Sequence, residues 1–527
     1  MFTDKETPKE ARSMNQSAIE PIIVPPMDRY NQTLVDNLHP ADWVNPEPIA
    51  CYNLVVIGAG TAGLVTAAGA GLLGAKVALV EKHLMGGDCT NVGCVPSKAM
   101  IRSARAITDI RSAGRFGIGT AHDIKIDFPG VMERLRQVRA EISPHDSAKR
   151  FQQEFGVDVF FGDARFSSSN TVEVADKTLR FKKAAIATGS SPAHLAIEGL
   201  EETGYLTNET VFSLTECPKR LAVIGGGYIG CELAQTFQRL GSEVVLFQRG
   251  SRLLKREDAA AAEIVQTVFV REGIQLLLQT KIKRIERQGV EKVIYYEANT
   301  QENMATVDEI LVAAGRSPNV EGLNLEKVGV KYDQKQGVII NDYLQTTYPY
   351  IYAVGDVCMK WKFTHAADAA ARIVIQNALF SVFGIGRKKL SSLTMPWCTY
   401  TDPEVAHVGM YPQEAQEQGI EVETFSISLK NVDRALIDGE TEGFVKLFVK
   451  KGTDKILGAT IVARHAGEMI GEITLAMTNN LGLGAISQTI HPYPTQAEAI
   501  RKAADKSSIR RLQTFKKLTS YWLAWRR

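Results

Sequence analysis

Leu54-Val55-Val56-Ile57-Gly58-Ala59-Gly60-Thr61-Ala62-Gly63 is the stretch on which the fold turns. Four strand-forming apolar residues run directly into Gly-x-Gly-x-x-Gly, and a second apolar segment, residues 76–80, arrives one helix-length later. Glycine permits the tight turn, the close approach of a pyrophosphate and the close packing of helix on strand. The helix start then offers unpaired N–H groups and a partial positive charge. Glu81 follows 23 residues after Gly58, where a carboxylate accepts from ribose hydroxyls. The unit reads as a right-handed β-α-β that binds a dinucleotide through Gly58, Gly60, Gly63 and Glu81. Residues 54–75 are 22 positions without a charge, long enough for a membrane span. Six glycines inside that run favour a strand, a turn and a buried helix instead.

A second copy lies 167 residues on, at Gly225-Gly226-Gly227-Tyr228-Ile229-Gly230, with Gly225, Gly227 and Gly230 in the fingerprint positions. Here the residue in place of the acid is Gln248, and Arg249 follows it. A neutral side chain does not repel a 2′-phosphate and an arginine binds one, so this site is expected to prefer NADPH over NADH. The plainer reading makes Arg249 a solvated residue at a strand end.

Outward from these two turns, 527 residues favour about three domains. With 45% apolar and 23% charged residues the chain is not disordered, and seven cysteines are too few for a secreted disulfide scaffold. A net charge of +2, from 61 basic and 59 acidic residues, gives no field that points to nucleic acid. The first residues lack a signal-peptide pattern, so a reducing, cytoplasmic setting is expected. Residues 1–50 hold seven of the 19 prolines and no sustained period, and read as an extended arm. After residue 391 the texture changes to alternating strands, such as residues 444–449 and 456–462, and implies a third, α+β domain.

The most specific motif is Gly86-Gly87-Asp88-Cys89-Thr90-Asn91-Val92-Gly93-Cys94-Val95-Pro96-Ser97-Lys98. Two cysteines five apart can close a disulfide if the segment bends into a helix start, which also favours a thiolate. A zinc site needs four ligands, and no second cysteine pair or histidine cluster stands nearby, so no metal ligands are assigned.

Taken with both fingerprints, CTNVGCVPSK resembles the pyridine nucleotide–disulfide oxidoreductases, among them dihydrolipoamide dehydrogenase, glutathione reductase and mercuric reductase. Ala187-Thr188-Gly189-Ser190, Ala314-Gly315-Arg316-Ser317-Pro318-Asn319, Tyr352-Ala353-Val354-Gly355-Asp356 and the stretch from Pro396 to Glu404 are similar to the family's further motifs, in its order. The resemblance implies an α/β fold with two Rossmann-like domains, for FAD (51–190 and 312–390) and NAD(P) (191–311), and an α+β dimerisation domain (391–505). FAD and NADPH are the implied cofactors and a homodimer the implied assembly. FAD would lie on the first fingerprint with Lys82, Gly87, Lys98, Ala164, Thr188, Gly189, Ser190, Gly355 and Asp356, and Gly315 closes the NAD(P) domain. By the same resemblance Cys89 and Cys94 form the redox-active disulfide, Cys94 on the flavin side and Cys89 for interchange. Tyr228 gates the nicotinamide pocket, and Lys98 pairs with Glu232.

The C-terminal motif departs from the disulfide reductases. Their catalytic His-Pro-Thr, with glutamate five residues after the histidine, corresponds to Tyr493-Pro494-Thr495 with Glu498; His491 stands two positions earlier. Phenol, with a reference pKa near ~10 against about 6.5 for imidazole, is a poor base at neutral pH. Tyrosine there, with the RGSRLLKRED stretch, is the mercuric reductase pattern. The vicinal cysteine pair near that enzyme's C-terminus has no counterpart, nor does a Cys-x-x-Cys module in residues 1–50. Cys51, Cys217, Cys231, Cys358 and Cys398 read as small packed residues. A soft metal ion suits two thiolates. The alternative is a lipoyl or small disulfide, with His491 reaching the substrate thiol. Residues 506–527 form a basic tail with Phe515, Leu518, Tyr521, Trp522 and Trp525 at helical spacing, fit for a membrane surface or a partner. This raises a reading of another class, a redox-sensing subunit docked by its tail.

Overall fold

Strand β1 (Tyr52–Ile57) buries nearly every residue, which requires covered faces and parallel neighbours. The computed structural model, which describes residues 22–119, 124–381, 383–514 and 516–527, supplies both. β1 lies between β2 (Val77–Glu81) and the longer β6 (Lys177–Ile186), parallel to each. β3 (Val157–Phe161) extends the sheet beyond β2, and Ile351–Ala353 returns late in the chain to pair with β6. The hairpin of β4 (Ala164–Ser168) and β5 (Thr171–Val174) is antiparallel and joins the other part of β6.

Helix α2 (Thr61–Leu72) follows the first turn and packs on the helix Thr364–Ile375. Two glycines late in the uncharged run are close contact points: a Cβ on Gly69 would stand 2.6 Å from Ile375, and one on Gly71 would overlap the carbonyl of Phe155. Close helix packing, not lipid, explains the run. Among the described residues no helix is long and apolar enough to cross a membrane.

The second fingerprint opens an analogous sheet, ordered Gln275–Leu278, Glu243–Gln248, Arg220–Ile224 and Glu309–Val312, all parallel. A three-stranded antiparallel meander, residues 281–307, stands beside it. From Pro396 onward, five antiparallel strands carry the helices Ala466–Thr478, Leu483–Gln488 and Glu498–Thr514.

The extended reading of residues 1–50 is corrected in one part. Residues 1–21 lie outside the described residues, but Arg29–Leu38 is a helix, α1, capped by Asp28, with Leu34, Val35 and Leu38 buried. Ten residues between proline-rich flanks are too few turns for a period to stand out, and tertiary burial stabilises what propensity alone does not. In the tail, Lys516–Trp525 is helical and Tyr521, Trp522 and Trp525 are exposed. Phe515 lies outside the described residues, as does the side chain of Leu518.

Both dinucleotide turns depend on the same contact. A Cβ on Gly63 would overlap the carbonyl oxygen of Gly58, and one on Gly230 that of Gly225, whereas a Cβ on Gly227 meets nothing within 4 Å. Gly63→Ala is therefore expected to lose about 1–3 kcal/mol in urea unfolding, and Gly227→Ala to stay within about 0.5 kcal/mol of the parent. Equal losses would show that the turn is not sterically limited at Gly63.

Candidate active site

A cavity of about 1390 Å³ runs from the first glycine turn to the cysteine motif. At one end lie Gly58, Gly60 and Thr61, with Glu81 and Lys82 beside them and Ala164 on the adjoining strand. Gly60 caps α2 without any side-chain hydrogen bond, so the first amides of the helix point at the cavity unclaimed. Glu81 is fixed from behind, accepting from the amides of Ala59 at 2.7 Å and His83 at 2.8 Å, and each oxygen keeps a lone pair for a further donor. Thr188, Gly189 and Ser190 form the opposite wall, locked by Thr188 Oγ1 to the carbonyl of Asn319 at 2.7 Å. Gly355, at φ +82°, delivers Asp356, whose carboxylate accepts from Ser190 Oγ at 2.7 Å and is pushed up by burial.

At the other end the chain passes through the short helix α3 (Gly87–Asn91) into α4 (Cys94–Ser112). This puts Cys94 at the first residue of a 19-residue helix with no side-chain cap, where aligned peptide dipoles favour an anion. Cys89 and Cys94 are hydrogen-bonded as free thiols, and Thr364 Oγ1 stands 3.4 Å from the Cys94 sulfur. The bond from Cys89 and, after the opposing cost of burial, the charge of Lys98 hold Cys94 down to about 6. Cys89 is driven up by that same bond and by its own burial, so one thiol is ionised and the other keeps its proton.

Lys98, one turn on, meets Glu232 of the second domain at 2.8 Å, and the other oxygen of Glu232 accepts from the amide of Tyr400 at 2.9 Å. Burial lowers the lysine but the attraction of Glu232 and Cys94 prevails, and it stays charged. Tyr228 lines the same space, its ring 5.8 Å from that of Phe363.

The cavity thus joins a phosphate-ready helix start and a ribose-ready carboxylate to an ionisable thiol pair, and its size and donors fit a flavin dinucleotide. Residues 52–371 match the family described as pyridine nucleotide-disulphide oxidoreductase, and residues 395–504 match its dimerisation domain. The chain belongs to the pyridine nucleotide-disulphide oxidoreductase family. A mercuric reductase of Staphylococcus aureus is 38% identical over 455 residues, 86% of this chain and 82% of that protein. A dihydrolipoyl dehydrogenase of Mycoplasma pneumoniae is 34% identical over 463 residues, 86% and 98% of the two chains. The solved HOCl-induced flavoprotein disulfide reductase RclA from Escherichia coli matches with a TM-score of 0.76 at 26% identity, over 86% of this chain and 99% of that one. The family uses FAD and NAD(P)H, and this chain is an oxidoreductase.

Not every residue assigned to this oxidoreductase from its sequence reaches the cavity. Tyr493 is 70% exposed and donates to Asp433 at 3.0 Å. His491 pairs with Glu472 at 3.0 Å, and Glu498 with Arg501 at 2.8 Å. Within one chain none of the three lines the thiol cavity. Gly225, Gly227 and Gly230 shape the second turn, Gly315 at φ +132° follows its last strand, and Arg249 is exposed just past Gln248. Gln248 itself accepts from the amide of Gly226 at 3.2 Å, the same service that Glu81 performs for Ala59. Among the described residues no cluster of three or more His, Cys, Asp or Glu is arranged to hold a metal ion.

Sequence reading missed Arg316. Its guanidinium pairs with Asp88, donates to Ser190 Oγ at 2.8 Å and lies 3.7 Å from Asp356, bracing both cavity walls. A basic residue inside AGRSPN was the only signal, and a solvated loop arginine looks the same.

The ultraviolet thiolate absorbance of the reduced chain is expected to rise with a midpoint near the value of about 6 assigned to Cys94. Cys89→Ala removes a hydrogen bond to the thiolate and Lys98→Met its nearest positive charge, so both shift the midpoint upward. An unmoved midpoint in both variants would show that neither group holds Cys94 ionised.

Proposed function

We propose that this protein is an NADPH-dependent, FAD-containing homodimer that passes electrons through a Cys89–Cys94 disulfide to a soft metal ion, in the manner of mercuric reductases. The observation that carries the reading is the thiol pair at the start of α4, one member ionised near neutral pH and both lining the cofactor cavity. FAD, held by the Gly58–Gly60 turn, Glu81 and Asp356, would supply the two-electron carrier between the nicotinamide and the disulfide. Cys94, beside Lys98 and Glu232, holds the negative charge that appears when the disulfide opens, and Cys89 keeps the proton. Tyr228 guards the nicotinamide side with its half-buried ring, and its hydroxyl, pushed up to about 12 by desolvation, stays neutral. Two sulfurs at this spacing are soft donors for Hg(II), and overall NADPH and Hg(II) give NADP⁺, one proton and Hg(0).

Tyr493 and Glu498 are read as the second half of the site, brought to the thiols of the other subunit across the dimerisation domain. The exposure of Tyr493 supports this, since its hydroxyl is held only by Asp433 at the surface. The His491 side chain is only 6% exposed, against the open Tyr493, which leaves it less able to reach a partner's thiols as the disulfide-substrate alternative requires. A reducing, cytoplasmic setting suits the cycle. NADPH preference rests on Arg249, which has open space around it and follows a neutral Gln248.

Steady-state NADPH oxidation with Hg(II), lipoamide and oxidised glutathione is expected to show turnover on the metal above the other two. Turnover on lipoamide with none on Hg(II) would replace this reading with the alternative. Arg249→Ala is expected to raise KM for NADPH about tenfold, the worth of one charge-assisted hydrogen bond to phosphate, with little change for NADH. Equal effects on the two nucleotides would remove the 2′-phosphate assignment.

A further inference from the structure

The family match begins at residue 52, yet the segment before it is built into the cofactor cavity. Ile23, Val24, Pro25 and Leu34 line that cavity together with Gly60, Thr61 and Leu84. The segment is fastened at several places. Asn45 and Phe161 exchange hydrogen bonds of 2.9 and 2.8 Å at the edge of β3, and Trp43 Nε1 donates to the carbonyl of Val159 at 3.1 Å. The carbonyl of Leu38 accepts from the amide of Met85 at 3.2 Å. Asp28 accepts from Arg136 Nε at 2.5 Å.

The centre of the arrangement is Asn31, which is fully buried. Its amide nitrogen donates to the carbonyls of Val24 at 3.1 Å and Pro26 at 2.8 Å, and so draws the cavity-lining residues against α1. Its oxygen accepts from Arg139 at 2.8 Å. Arg139, 2% exposed and on the helix α5 (Phe128–Ile142), turns its other terminal nitrogen to the carbonyl of Asn91 at 2.6 Å. Asn91 ends α3, the helix that carries Cys89. One buried guanidinium therefore ties the N-terminal segment to the cysteine-bearing helix. At this seam Arg139 Nε and Asn91 Oδ1 are buried without a hydrogen-bond partner among the described residues, and both residues line the cavity. Buried polar atoms so placed call for a partner, which a polar ligand or water in the cavity can supply.

We infer that residues 22–45 are a wall of the FAD site added to the family core, latched through Asn31 and Arg139 to the cysteine helix, so that arm docking and FAD binding stabilise each other. This rests on the reading of the cavity as the FAD site. Linkage makes the effect reciprocal: whatever FAD gains from the docked arm, the arm gains from FAD.

Two measurements on the full chain test it. Trypsin cleavage after Arg29, identified by fragment mass, requires α1 to come loose, and saturating FAD is expected to slow it on the order of tenfold relative to the apoprotein. Equal cleavage rates with FAD demonstrably bound would overturn the inference. Asn31→Ala cuts the tether alone, and its FAD is expected to leave on the order of tenfold faster, followed by the recovery of flavin fluorescence on dilution. An unchanged release rate from a folded variant would also overturn it; if that variant does not fold, the cleavage experiment on the parent chain decides. A parent chain that binds no FAD overturns the cofactor reading, a different outcome that the visible spectrum reports directly.

Discussion

The approach of one backbone to another at Gly60 and Gly87 is the constraint on which the rest of the structure depends. A Cβ on Gly87 would stand 2.6 Å from the Cα of Gly60, closer than any side-chain carbon is tolerated. The amide of Gly86 donates to the carbonyl of Ala59 at 2.8 Å, and Gly86 and Gly60 pair as a single parallel bridge. Both Gly86 and Gly87 have positive φ, which a side chain would strain. Because the chain is pressed against the first glycine turn here, α3 and α4 begin at the rim of the sheet, and the thiols fall inside the same cavity as the first residues of α2. Without that contact the two motifs would be neighbours in sequence only.

From this point the domains are joined by buried charge. Lys98 reaches Glu232, Arg105 reaches Glu404 at 2.9 Å, and Arg239 holds both Glu272 at 2.6 Å and Asp402 at 2.9 Å. The backbones of Tyr400, Thr401 and Asp402 take up Glu232, Arg105 and Gln235, while the Asp402 carboxylate takes up Arg239. Such pairs cost desolvation and add little net stability, but losing one partner leaves an unpaired buried charge. They act as registration pins, and they set Cys94, Tyr228 and the dimerisation domain in one frame.

What could be read beforehand divides along physical lines. Turns that need glycine, strands buried on two faces and a cysteine pair before a helix leave marks at fixed spacing, so Gly58, Gly225, Cys89, Cys94 and the three-part architecture were legible. The pairing of Lys98 with Glu232 was legible only through the family resemblance. Arg316, Arg139 and Asn31 were not, because a buried polar side chain and a solvated one are the same letter; the difference lies in partners that other elements bring up, such as Asp88 for Arg316 and Asn91 for Arg139. Helix α1 was hidden by its length, and its reason to exist is the surface it covers, not its own propensity. Tyr493 and Glu498 were found as a motif, but neither lines the thiol cavity within one chain, and local spacing is silent on where a motif lies in the fold.

The split between the two thiols carries a consequence for the stoichiometry of reduction. In the cycle proposed here, opening the disulfide adds two electrons, yet Cys94 beside Lys98 remains ionised above the value of about 6 while Cys89 is protonated. The couple then takes up one proton for two electrons, and its midpoint potential falls by about 30 mV per pH unit, half the slope of an ordinary dithiol. The protein would thereby hold its reducing power more evenly across changes in acidity than a free dithiol of the same potential.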